Sequence, residues 1–166
     1  MASLAGSFLV ARPVLKDPHF AQAVVLLLQH SEEGAFGLVV NRPVPIEGAP
    51  FPVFFGGPCE SEGLLLLHGN ADWADPSADP PGREVAPGIF LGDASCLKRV
   101  NDGPDDQPPR YRLFTGFSGW GPDQLEGELT EGAWAVVPAS GQLLFDSPPD
   151  DLWARLLPPL PQPSVN

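Results

Sequence analysis

A chain of 166 residues has room for one domain, and an apolar content of 43% is enough for a substantial core. With 21 acidic against nine basic residues the net charge is −12, a surface that repels phosphate backbones and anionic lipid, so direct nucleic-acid binding is disfavoured. Two cysteines outside any CxxC pair, no run approaching the ~20 apolar residues of a membrane helix, and no signal-peptide pattern in MASLAGSFLVARP lead to an expected cytoplasmic protein without membrane association.

In chain order, SFLVARPVL (Ser7–Leu15) reads as a strand that ends or bends near Pro13, which has no N–H for a ladder. Val24 to Leu28, inside AVVLLLQH, is continuously apolar, as in a strand covered on both faces. Ser31-Glu32-Glu33-Gly34 has turn composition and FGLVVNRP resumes the strand signal, so the two runs predict a hairpin with a turn of roughly five residues. A Pro-rich connection from Pro43 to Pro52 leads to VFFGGP and then GLLLLH, which ends at His68. Asn70 to Gly88 reads as loop, IFLGD as a short strand, and Asp93 as the cap of a helix through Ala94–Val100. RYRLFTGF (Arg110–Phe117) returns to strand composition.

In GWGPDQLEGELTEG, Pro122 suits the first helical position, Leu125 and Leu129 lie one turn apart, and Gly132 suits a left-handed stop. AWAVVP and QLLFDS read as strands. Ser147 or Asp146 then caps a final helix, PPDDLWARLL, with Leu152, Leu156 and Trp153 on its apolar face. Strands and helices mix without regular βαβ alternation, which indicates an α+β fold. One domain over residues 1–157 is expected, followed by a Pro-rich, poorly ordered tail at 158–166.

Four blocks stand together in this order: Phe8–Pro43, FFGGP (Phe54–Pro58), GLLLLH (Gly63–His68) and GFSGWGPDQLEGELTEGAWAVVPA (Gly116–Ala139). Together they closely resemble the YqgE/AlgH family of uncharacterised bacterial proteins. The resemblance implies a strongly bent, bifurcated, mostly antiparallel sheet folded into a pseudo-barrel with a few flanking helices. It implies no catalytic residue set. One member was named as a regulator of alginate production, and relatives carry a transcriptional-regulator label. The chain departs from the family pattern in its short Pro43–Pro52 link and its Pro-rich end.

SEEGAFG and FGGP lack the lysine and the strand-to-helix context of nucleotide loops, and GFSGW around Ser118 fails the G-x-S-x-G pattern of a nucleophile elbow. Gly56 and Gly57 can form a small anion nest, although a tight bend is the stronger reading. His30 and His68 end strands, where a histidine bonded to a loop carbonyl is the favoured role; His19, His30 and His68 have no short metal-ligand spacing, so no metal or cofactor is expected. Asn41 and Arg42 offer a donor-rich strand exit, with Asn41 holding the turn and Arg42 paired to an acid as the plainer alternative. Trp120, Gln124 and Glu126 surround a helix start and form a possible ligand corner, with Trp120 and Trp134 equally suited to the core.

Lys98, Arg99, Arg110 and Arg112 make the nearest approach to a basic patch, and Phe51, Phe54 and Phe55 a candidate interface. The leading expectation is a non-enzymatic protein, monomeric or weakly self-associating, that binds a protein or small molecule and acts in transcription, if at all, by an indirect route. The alternative is an enzyme or ligand-binding domain with His30, Asn41, Arg42, Gly57 and His68 converging on one pocket.

Overall fold

Strands β1 (Ser7–Ala11), β2 (Val24–Ser31) and β3 (Gly34–Val39) form the middle of the sheet because every residue from Val24 to Leu28 has a buried side to go to. Phe8, Val10, Val24, Leu26 and Leu38 pack in one cluster, while Leu9, Ala11, Val25, Leu27 and Val39 pack in a second one. Adjacent residues on a strand point to opposite faces, so the two clusters are the two faces of one doubly covered sheet. The continuous apolar run read from the sequence has this cause. The computed structural model describes residues 3–13, 20–44, 53–69, 83–92 and 111–156.

Beyond β3 the strands are β4 (Pro43–Val44), β5 (Val53–Phe55), β6 (Cys59–His68), β7 (Arg83–Ala86), β8 (Ile89–Gly92), β9 (Tyr111–Trp120) and β10 (Trp134–Pro138). They form a curled sheet in the order β10-β1-β2-β3-β9-β6-β8-β7, with β4 on β5 and β5 on β9. All pairings are antiparallel except β5 with β9. Ten-residue β9 divides its edge: Leu113–Thr115 run beside β5, and Ser118–Trp120 run beside β3. Gly116 lies at the division with φ +78, and a Cβ there would meet the Gly57 carbonyl oxygen at 2.5 Å. This fork is the bifurcation expected of the fold, and it needs a residue without a side chain.

Three helices lie among the described residues: α1 (Gln124–Thr130), α2 (Gly141–Asp146) and α3 (Pro149–Leu156). Leu125 and Leu129 of α1 join the second cluster, while Leu144 of α2 and Leu152 and Leu156 of α3 join the first. Trp153 anchors α3 further by donating its indole N–H to the Ala11 carbonyl at 2.6 Å.

Several expectations change. QLLFDS is helical: Ser140 caps α2 by accepting the Leu143 N–H at 3.2 Å, and Gly141 lies against Gly88 too closely for a side chain. The hairpin turn is two residues, Glu32-Glu33, with Ser31 opposite Gly34. Arg83–Ala86, read as loop, pairs with β8. Pro122 precedes α1 rather than opening it; Asp123 takes a left-handed conformation (φ 64), and the Gln124 side chain accepts the Gly121 N–H at 2.9 Å. Gly132 has the expected positive φ of 78. The Ser147 hydroxyl accepts from Arg155 Nη1 at 3.5 Å. The Asp93 helix and the 158–166 tail lie outside the described residues.

Candidate functional site

The site is built at the tip of the β2–β3 hairpin, and a β-bulge aims its central residue. Leu27 pairs with Gly37 and Gln29 with Phe36, so Leu28 is an extra residue in β2. The register shift puts His30 opposite Ala35, on the face of the second cluster, where α1 lies. Without the extra residue, strand alternation would turn His30 to the other face.

His30 is 8% exposed. Its Nδ1 accepts the Leu4 N–H at 3.0 Å, where the segment before β1 runs past the end of the ladder. A nitrogen that accepts carries no proton, so the neutral ring holds its hydrogen on Nε2 and donates it to Glu126 Oε1 at 2.6 Å. That bond, chiefly, and a bond from the residue's own backbone hold the Glu126 carboxyl below its usual range. One imidazole thus ties the N-terminal segment, the hairpin and α1 together.

Next to it, Trp120 and Trp134 both donate indole N–H groups to Glu128 Oε1, at 3.2 and 2.9 Å. Phe20 stacks on Trp120 at 6.1 Å and meets Trp134 edge-on at 5.7 Å. These contacts fix the wall of a groove of about 510 Å³ lined by Ser3, Gln29, His30, Glu33, Phe36 and Trp120, among others. A second recess of about 380 Å³ adjoins it, lined by Ser3, His30, Ser31, Glu32, Asp123 and Glu126. His30 lies where the two meet.

The other sequence candidates lie elsewhere. Asn41 accepts the Val24 N–H and donates to the Gln22 carbonyl, each at 2.9 Å, and Arg42 donates to the Ala21 carbonyl at 2.7 Å. They brace the entry to β2, six residues from His30, or roughly 20 Å along a strand. The plainer reading of Asn41 describes what it does here.

Gly56 gives its N–H to the Thr115 carbonyl, and its own carbonyl receives the Val39 N–H and the Ser118 hydroxyl. Cβ atoms at Gly56 and Gly57 would fall 2.4 Å from the Gly116 oxygen and 2.3 Å from the Phe117 carbonyl carbon. Close backbone crossing, not an open anion nest, is the reason for these glycines. Ser118 is wholly buried.

His68 is also wholly buried, opposite Tyr111, with its ring stacked on Phe90 at 5.4 Å. Tyr111 and Trp120 end the same strand, so His68 and His30 belong to ends roughly 30 Å apart in extended chain. The five residues of the alternative pocket therefore do not converge. Among the described residues, no three His, Cys, Asp or Glu side chains group as metal ligands. His19, Lys98, Arg99, Arg110 and Phe51 lie outside the described residues, Phe54 is buried on Phe114, and Arg112 is buried rather than part of a surface patch.

Sequence reasoning grouped Trp120 with Glu126 at the helix start but did not join His30 to them, and it missed Ser3 and Leu4. The joining bond spans 96 positions, and no local pattern announces it.

A family profile described as AlgH-like matches residues 8–163. A UPF0301 protein of Streptomyces coelicolor is 39% identical over 95% of this chain and 86% of its own length. One from Cupriavidus metallidurans is 34% identical over 93% and 87%. Among solved structures, a crystal structure of a Corynebacterium diphtheriae protein superposes with a TM-score of 0.76 at 23% identity, covering 95% of this chain and 88% of that one. The solution structure of AlgH from Pseudomonas aeruginosa gives 0.70 at 28% identity, with 93% and 87% covered. The chain belongs to the AlgH-like family.

Proposed function

We propose that the protein is a non-enzymatic binding protein whose hairpin-tip groove receives a partner protein or a small molecule. The observation that carries this reading is the double engagement of His30. Both ring nitrogens are committed to internal partners, so the groove has a rigid polar floor rather than a free general base. The Ser118 hydroxyl, whose sequence context fails the nucleophile-elbow pattern, is spent on a backbone carbonyl. The rim carries Glu32, Glu33 and Asp123, all exposed, and the walls include Phe36 and Trp120. Carboxylates around aromatic faces favour a partner that presents a cationic group.

A role in transcription then runs through that partner and not through DNA, as the net charge of −12 favours. The same reading has the protein monomeric or weakly self-associating in the cytoplasm, where the free Cys59 thiol stays reduced. Capture from cell extract on wild-type protein and on Ser31→Arg, which obstructs the groove and adds a positive charge to its acidic rim, tests it. A partner held by the wild type and lost by the variant is expected. A partner kept equally by both, or tight sequence-specific DNA binding by anisotropy at physiological salt, refutes it.

A further inference from the structure

One buried charged side chain has no counter-charge among the described residues. Arg112, on β9, is 7% exposed. Its Nη1 donates to the Val40 carbonyl at 3.3 Å and its Nη2 to the Ser147 carbonyl at 3.5 Å, both long for such bonds. Phe54 and Phe145 lie 4.9 and 5.9 Å from the guanidinium carbon. Among the described residues no carboxylate pairs with it, in a chain that has 21 acids to choose from. Burial pushes its pKa down to about 10, which still leaves it charged at neutral pH.

A guanidinium brought out of water without an opposite charge is strongly disfavoured. Two long carbonyl contacts and two ring faces offset only part of that, and most of its five N–H donors remain unused.

A second cation approaches the same place. Arg155 of α3 donates its Nη1 to the Ser147 hydroxyl at 3.5 Å. Two of the nine basic residues thus meet at one buried serine, in the junction between α2 and α3. The neighbouring carboxylates, Asp146, Asp150 and Asp151, are exposed.

We propose that Arg112, with Arg155 beside it, is the counter-charge for a small organic carboxylate that docks at the α2–α3 junction. The guanidinium fork matches a carboxylate in two parallel bonds. Phe145, half-buried beside the guanidinium, suits an apolar body on that acid. The net charge of −12 repels a phosphate dianion about twice as strongly as a monoanion, which selects the carboxylate. This site is separate from the hairpin-tip groove: Arg112 is eight residues from Trp120, or roughly 25 Å along an extended strand.

Hexanoate is the probe. Titrated into ¹⁵N-labelled protein at constant ionic strength, it is expected to shift the Arg112 Nε–H resonance saturably, with inorganic phosphate binding at least tenfold more weakly. Arg112→Met is expected to abolish saturable binding while leaving the urea midpoint unchanged or higher, because an uncompensated charge is gone. No saturable shift at Arg112, equal binding of phosphate, or hexanoate binding that survives in Arg112→Met overturns the proposal. Should Arg112→Met fail to fold, Arg155→Met carries the test: its side chain is exposed, a roughly tenfold loss of hexanoate affinity is expected, and unchanged affinity overturns the two-arginine site.

Discussion

His30 serves as acceptor to Leu4 and donor to Glu126 at once. Its removal leaves a main-chain N–H and a carboxylate short of partners together. His30→Ala should destabilise the protein by about 1–3 kcal/mol in urea titration, the usual range for stranding a partly buried polar group. A loss near zero would mean that water replaces both bonds. The carboxyl at Glu126 adds a pH dependence. Its folded pKa is depressed below the ordinary 4.5 by the His30 bond first. The unfolded chain therefore binds the proton more readily, and stability from this group is fully present above the ordinary value. It is lost as pH falls through the lowered folded value. Wild type and Glu126→Gln should thus diverge near neutral pH and converge in acid, read as urea midpoints against pH. At this scale the sequence announced residue types but not partners. Asn41 was readable as a turn holder because it acts on neighbours; His30 was not, because Leu4 and Glu126 come from distant segments and a one-residue bulge decides which face it shows.

At the scale of elements, the fork in β9 has the narrowest tolerance. Gly116 combines positive φ with a carbonyl oxygen at 2.5 Å from any Cβ. Gly116→Ala should lose about 3 kcal/mol or more, because backbone strain and a clash with fixed main chain add. Far-ultraviolet circular dichroism of a folded variant would keep its strand signal while the denaturation midpoint drops; an unchanged midpoint would mean that the fork relaxes freely. The strands were legible because a doubly covered sheet writes long apolar runs, and α3 because Leu152 and Leu156 stand one turn apart behind an acidic first turn. Six-residue α2 was not legible. Leu143-Leu144-Phe145 is a short apolar run, which suits a strand or a helix equally. The deciding contacts, a Ser140 cap and the approach of Gly88, come from outside the run.

Over the whole molecule, 21 acids face nine bases, and a charge of that size works against compactness through self-repulsion. Salt screens such repulsion: the Debye length falls from about 30 Å at 0.01 M to about 8 Å at 0.15 M. The thermal midpoint should therefore rise by about 2–4 °C over that range in calorimetry, and a fall would show that attractive pairs dominate the surface. The fold class and the bifurcated sheet were readable from the family motifs in chain order, whereas the groove was not, since its walls come from Ser3, the hairpin, β9 and α1.

The pairing of β1 with β10 sets an order of events. Ser7 is partnered by Pro138, so one side of an apolar N-terminal strand waits for a mate more than a hundred residues downstream. At the usual pace of translation that wait lasts on the order of ten seconds. During it, Phe8 and Val10 belong to an unfinished edge that any extended chain can join. A nascent chain arrested before Trp134 should accordingly be a holdase client, and release of the full sheet should end that need.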